Sequence, residues 1–246
     1  MVATVLVFAG LDPSGGAGLA ADIAAIGALG AHALPVATAL TVQDNERVFS
    51  VAPVDTSLVL RQAEAVAARF TIGAVKIGIP GNRDNAVAIA AFVARLRAAN
   101  PDLPVVLDPV LASGHGDALG QSDALAALAV LLDVATLVVP NLMEAAALGA
   151  VPCPHVLLTG GHGDGDVVVN RWRHDGVEQA WEWPRLPGQF HGSGCTLAAA
   201  IAARLAQGDA MMDALARGQS FCHQALVQSF AIAPGQRIPR RFLQSS

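Results

Sequence analysis

Apolar residues fall along this chain in short unbroken runs, separated by longer stretches with helical spacing. Residues 2–9 form one such run, rich in β-branched side chains and too short for a helix. The absence of alternation predicts a strand buried on both faces. Residues 34–40, 48–54, 73–77, 105–107, 136–139 and 156–158 read as further strands, with a polar loop over 41–47. Between them, residues 18–29, 57–70, 82–98, 122–132 and 141–148 repeat apolar positions every three or four residues and predict helices. The third helix stops at Asn100-Pro101, because a residue before proline avoids the helical conformation. After residue 160 the pattern changes. Segments 166–172 and 176–183 flank Arg173-His174-Asp175, and Asp175-Gly176 supplies turn chemistry, so an antiparallel hairpin is expected. Two helices, over 194–206 and 209–230, follow, and the stretch after Pro234 reads as a surface extension. Strands alternating with helices predict an α/β fold, a mostly parallel sheet covered on both faces. Ligands of such sheets gather beyond the carboxyl ends of the strands. The loops after Ala9, Leu40, Asp108, Val139 and Leu158 therefore share one rim.

Length, 246 residues, lets residues 1–246 form one domain with a substantial core. A net charge of −5 gives no basic footprint for nucleic acid or an anionic membrane. Residues 23–42 lack Asp, Glu, Lys and Arg, but Gly27, Gly30, His32 and Pro35 interrupt them. A spanning helix needs about 20 continuous apolar residues, so no membrane segment is expected. Nothing at the first residues resembles a secretory signal. Cys153, Cys195 and Cys222 show no disulfide or zinc spacing, which predicts a reducing compartment, the cytoplasm. Lys76 is the only lysine, and the arginine and alanine skew reads as compositional bias.

Five segments carry candidate chemistry, with Asp108 as a further single position. Gly10 to Gly18 is a glycine-rich turn without the GK[ST] of a phosphate loop. Gly16-x-Gly18-x-x-Ala21 meets a loose dinucleotide pattern, although any tight strand-to-helix turn recruits the same glycines. Its amides could equally line a substrate pocket. Phe190-His-Gly-Ser-Gly-Cys-Thr196 opens a helix, so the amides of Gly192, Ser193, Gly194 and Cys195 form an anion-binding N-terminus. That arrangement suits a phosphoryl group in transfer. The first helical turn favours a thiolate, which would let Cys195 accept a proton, while a small buried residue packing a helix start is the plainer reading. Asn141-x-x-Glu144 is a capping box as written. Glu144 also sits on the rim where a hydrated magnesium would lie, and Asp108 is a second carboxylate, or a turn-initiating Asp-Pro. Gly160-Gly161-His162 ends a strand on that rim, where glycines admit a flat nucleotide. Gln43 can offer donor and acceptor together to a pyrimidine edge.

In this order the segments resemble the hydroxymethylpyrimidine and phosphomethylpyrimidine kinases of thiamin biosynthesis, within the ribokinase-like superfamily. The matching stretches are GLDPSGGAGLAAD (10–22), TVQDN (41–45), VKIGI (75–79), VLDPV with GD at 116–117, VPNLMEA (139–145), LLTGGH (157–162) and HGSGCTLAAAIAA (191–203). The resemblance implies a ribokinase-like three-layer α/β/α sandwich with a small β-hairpin flap in place of a large lid, commonly as a homodimer. It implies ATP and Mg²⁺ as cofactors and a hydroxymethylpyrimidine as substrate. Cys195 would be the base, with Gly192, Ser193 and Gly194 as the anion hole. Gln43, Ala17, Asp22 and Val110 would surround the pyrimidine. Asn141 and Glu144 would position the magnesium–ATP phosphates, and Thr159 and Gly161 would lie on the nucleotide. Gly114 and Thr159 stand where the family carries other residues, lysine among them, and Ala20, Asp44 and Ile79 also depart from its pattern. The missing cations favour phosphorylation of the alcohol over that of its monophosphate. A pyridoxal kinase, a non-catalytic pyrimidine-binding protein and a dinucleotide-dependent oxidoreductase are the rival readings.

Overall fold

Six consecutive buried residues, Val5 to Gly10, form the middle of β1 (Thr4–Leu11), and a strand can bury such a run only with cover on both faces. The structure, a computed structural model, describes residues 1–111, 121–161 and 163–242, with the backbone alone at 121–123. Gly114, the pair at 116–117 and His162 lie outside the described residues.

The chain continues through α1 (Gly18–Ala28), β2 (His32–Gln43), β3 (Val48–Pro53), α2 (Thr56–Ala67), β4 (Ala74–Ile77) and α3 (Arg83–Ala99). Next come β5 (Val105–Leu107), α4 (Gln121–Leu132), β6 (Leu137–Val138), α5 (Leu142–Leu148) and β7 (His155–Leu158). The hairpin β8 (Val167–His174) and β9 (Val177–Pro184) precedes α6 (Ser193–Ala206) and α7 (Met211–Val227). All nine strands among the described residues join one sheet, ordered β3-β2-β1-β4-β5-β6-β7-β8-β9. Strands β2, β1, β4, β5, β6 and β7 run parallel to one another, and β3, β8 and β9 are antiparallel to their neighbours. The hairpin turn is Asp175-Gly176, both at positive φ, as a two-residue turn between twisted strands requires.

Alternate residues of β1 feed two cores. Val5, Val7 and Ala9 face α1, α6 and α7, whereas Leu6 and Phe8 face α2, α3 and α4. The result is three layers, helices on either side of the sheet. The apolar stretch 23–42 divides as its glycines and proline require, with α1 ending at Ala28 and β2 starting at His32. No helix among the described residues is long and apolar enough to cross a membrane.

Two sequence expectations need correcting. Strand β2 extends to Gln43, into the stretch read as loop, because Thr41, Val42 and Gln43 pair with Val51, Ser50 and Val48 of β3. The stretch after Pro234 is not a surface extension. Gln236, Ile238 and Arg241 are buried, Arg237 bridges Phe190, and Ile238 bridges Phe230. This strap commits its backbone to loops and not to a ladder, so it leaves no periodic trace in the sequence.

Candidate active site

Chain winding changes direction between β1 and β4, the neighbouring strands from which it proceeds outward to each edge. A crevice opens at such a switch point, beyond the carboxyl ends of the strands. Here it is a cavity of about 470 Å³. Ala17, Gln43, Asp108, Val110, Asn141, Glu144, Thr159, Gly161 and the run Gly192 to Cys195 all line it. Asp22 does not: it is fully buried behind the wall, in an ion pair with Lys76. Of the residues that the resemblance assigns to the site, the structure therefore brings together all but Asp22, which reaches the cavity only through that lysine.

The first loop is built around Asp12. Its carboxylate accepts the Ser14 and Ala17 amides, each at 2.7 Å, and meets His191 Nε2 at 2.8 Å. Gly16 donates to Ser14 Oγ. Burial works against the charged form of Asp12, but the His191 and Ser14 hydrogen bonds outweigh it and hold its carboxyl below the usual range. With these amides already partnered, the loop offers no free cradle for a pyrophosphate, and the dinucleotide reading loses its physical basis.

The anion-binding element lies across the cavity. Gly192 caps α6 in the left-handed conformation (φ 75°), and a Cβ there would fall 2.1 Å from the Gly16 carbonyl oxygen. Only glycine satisfies both conditions. No side chain caps this helix, so its first amides, from Ser193 to Cys195, lack intrahelical acceptors.

Beneath them lies a buried charge cluster. Lys76 Nζ is 2.9 Å from Asp22 Oδ2 and 3.9 Å from Asp108 Oδ2, with Lys76 and Asp22 wholly inaccessible. Burial pushes Asp22 up, to about 6, against the pull of the ammonium. Burial also opposes the charge on Lys76, but Asp22, paired with it, and Asp108 compensate and keep it protonated. Asp108 is raised by burial while Lys76 and a hydrogen bond with Cys195 draw it down. Cys195 itself departs from expectation. Burial pushes its thiol up to about 12, and Lys76 and the Gly18 amide only partly oppose this. Desolvation thus outweighs the helix terminus, and the resting group is a thiol, not a thiolate.

Asn141 and Glu144 form the capping box in full: Asn141 Oδ1 accepts the Glu144 amide and Glu144 Oε2 accepts the Asn141 amide, both at 2.9 Å. The carboxylate still lines the cavity, where burial and the charge of Asp108 push it up to about 8. Thr159 gives its amide and hydroxyl to the Pro140 carbonyl. The Gly160-Gly161 pair divides in role. A Cβ on Gly160 would fall 2.4 Å from the Val169 carbonyl oxygen, so that glycine serves the approach of β8 and not a ligand. Gly161 faces open space on the cavity wall, and its carbonyl accepts from Arg185 Nη1 at 2.7 Å.

Residues 12–153 and 147–239 match the family model described as phosphomethylpyrimidine kinase. The chain belongs to the phosphomethylpyrimidine kinase family. A hydroxymethylpyrimidine/phosphomethylpyrimidine kinase of Rhizobium meliloti (strain 1021) is 35% identical, covering 96% of this chain and 95% of the relative. Its counterpart from Escherichia coli (strain K12) is 34% identical over 95% and 94% of the two chains. Among solved structures, the pyridoxal kinase from Staphylococcus aureus in complex with pyridoxal superposes with a TM-score of 0.86 at 23% identity. It covers 98% of this chain and 94% of that one. A likeness at that identity establishes the shared ribokinase-like fold.

Among the phosphomethylpyrimidine kinase features of this chain, two residues that line the cavity, Lys76 and His191, and one buried behind it, Arg241, have no role in the sequence reading. Lys76 lies in the quoted stretch 75–79 without a role of its own there, and a lone charged residue inside the apolar run 74–77 is the available signal. His191 stood within the quoted motif, but its partner Asp12 lies 179 residues away. Arg241 lies in the strap and had no signal.

Proposed function

We propose that this phosphomethylpyrimidine kinase-family chain transfers the terminal phosphoryl group of ATP to the hydroxymethyl group of 4-amino-5-hydroxymethyl-2-methylpyrimidine. One observation carries the reading: the uncapped N-terminus of α6, bearing the Cys195 thiol on the same cavity wall as Asp108, opens into the cavity that Gln43 and Asn141 also line. The side-chain amide of Gln43 makes no hydrogen bond among the described residues and faces that space, ready for a ring nitrogen and an exocyclic amine.

Phosphoryl transfer depends mainly on positioning and electrostatics. The Ser193, Gly194 and Cys195 amides receive the charge that develops on the transferring group. Because the resting group is a thiol, Cys195 accepts the substrate proton only as its own proton passes to the Asp108 carboxylate. Lys76, 3.9 Å away, favours the charged form of that carboxyl against the burial that raises it. This assigns Asp108 to the thiol, leaving Glu144 as the carboxylate for a cation. Glu144 fits a hydrated Mg²⁺, being a hard oxygen donor, buried in the field of a second carboxylate. No group of three or more metal-ligating side chains stands among the described residues, so phosphate and water oxygens would complete the shell. Bound Mg²⁺ would supply neutralising charge to the phosphates. Asn141, Thr159 and Gly161 would line the nucleotide.

The chain would act in the cytoplasm and as a homodimer, with the exposed Leu40, Val42 and Phe49 on the β2–β3 edge offering apolar surface for a second copy. Incubation with Mg·ATP and the hydroxymethylpyrimidine, its monophosphate or pyridoxal, each in its own tube, tests the reading by product mass. We expect the pyrimidine alcohol to be phosphorylated fastest. A product from pyridoxal alone would replace the substrate, and equal efficiency on the monophosphate would remove the preference for the alcohol.

A further inference from the structure

The strap after Pro234 touches three separate parts of the cavity rim. Asn45 Nδ2, beside Gln43, donates to the Pro234 and Gln236 carbonyls at 3.0 and 3.1 Å. The His191 amide donates to the Arg237 carbonyl at 2.9 Å, and the Arg237 amide to that of Gln189 at 2.8 Å. A Cβ on Gly16 would lie 2.8 Å from Ile238 Cδ1, so the strap also packs on the first loop.

At its end stands Arg241, 4% exposed. Its Nε donates to Thr196 Oγ1 at 2.9 Å, and Thr196 passes its own hydroxyl proton to the Gly192 carbonyl at 2.7 Å. Its Nη2 donates to the Gly16 carbonyl and lies 3.4 Å from the carbonyls of His191 and Gly192. All these acceptors are uncharged, and among the described residues no carboxylate pairs with the guanidinium within 4.0 Å. A buried cation with no directly paired carboxylate is costly, and the charges of Asp22 and Asp12 offset this only in part. Its rigid planar fork ties the first loop to the helix cap, so the mutual placement of Gly16 and Gly192 depends on it.

We propose that Arg241 is a positioning residue for phosphoryl transfer, clamping the carbonyls of Gly16, His191 and Gly192 so that the α6 amides form one anion hole. A buried positive charge stands behind that hole. The inference rests on the kinase reading of the site. The charge also acts on Cys195, Asp22, Cys222 and Asp12. Around the thiol it joins Lys76 from β4, Asp108 after β5 and Asp22 from α1.

The test compares the wild type with Arg241→Met, Arg241→Lys and, as a control, Arg240→Met. Arg240 is exposed, lies over the Phe230 ring and donates to the Gln228 carbonyl, away from the rim. We expect Arg241→Met to lower kcat by about 10²-fold, the cost of an ångström-scale misplacement, with KM for ATP and pyrimidine within about threefold of wild type. Lysine keeps the charge without the fork and should recover only part of the loss. Arg240→Met should leave kcat unchanged. Folded Arg241→Met with wild-type kcat overturns the proposal. If the methionine variant does not fold, Arg241→Lys decides, full turnover overturning it and a fall in kcat at constant KM supporting it. A wild type that phosphorylates nothing sinks the kinase reading instead. The clamp is then read from iodoacetamide alkylation of Cys195, followed by peptide mass against pH. Arg241→Met, or Arg241→Lys in its place for the positioning alone, must move that profile, toward higher pH for methionine, and an unmoved profile overturns the clamp.

Discussion

Lys76 stabilises two carboxylates that would otherwise be buried alone. Replacing it with methionine preserves volume but leaves Asp22 and Asp108 without their cation, and Asp22 Oδ1 and Asp108 Oδ2 already lack hydrogen-bond partners. Breaking a buried pair from one side costs roughly 3–5 kcal/mol. Lys76→Met should therefore lower the free energy of unfolding by that amount in a denaturant titration, and a loss under 1 kcal/mol would show that the cluster relaxes. Asp12 sets a pH dependence of the opposite kind from a buried neutral acid. Its folded value is depressed, so its contribution is present above the ordinary carboxyl value of 3.8 and is lost as pH falls through the lowered one. Asp12→Asn should destabilise the chain at pH 7 by roughly 1–3 kcal/mol, the scale of hydrogen bonds to a charged group. The gap should narrow as pH falls through the lowered value, and melting curves over a series of acidic pH values would reveal a constant gap if the carboxylate did not matter. At the same scale, Cys195→Ala should cut turnover by roughly 10²–10⁴ with little change in substrate affinity, as removal of a proton acceptor does.

At the scale of elements, local chemistry decides most boundaries. Asn82 caps α3, accepting the Asn85 amide at 2.8 Å, and Asn82→Ala should cost about 1 kcal/mol in chemical denaturation with turnover unaffected. Such signals were legible. The unbroken apolar run of β1, the Asn82 start of α3 and the Asp175-Gly176 turn each follow from rules that act within a few residues. The outer end of β2 was not legible, because Thr41 and Gln43 are polar and only pairing with β3 makes them strand. The thiol of Cys195 departs from expectation for a related reason: its helix position is written locally, but the charged groups that act on it, Lys76, Asp108 and Asp22, are distant in the chain.

For the whole molecule, the carboxyl ends of the parallel strands gather residues from 9 to 236 around one cavity. The candidate site was largely foreseen because its motifs sit at strand ends, where the fold class itself dictates the rim. The strap could not be foreseen, since irregular backbone has no period and its partners are loops. If Glu144 serves a cation, ATP should raise the melting temperature much more with Mg²⁺ than with excess EDTA, because only the bound form gains from ligand. Equal shifts would mean that the nucleotide binds without the ion. The seclusion of Lys76 has a practical corollary. Acylating reagents directed at primary amines find the one lysine side chain of residues 1–246 buried in the folded chain. Acetyl or carbamoyl groups found on Lys76 would thus mark molecules that had opened, turning a one-step labelling reaction into a count of excursions from the native state.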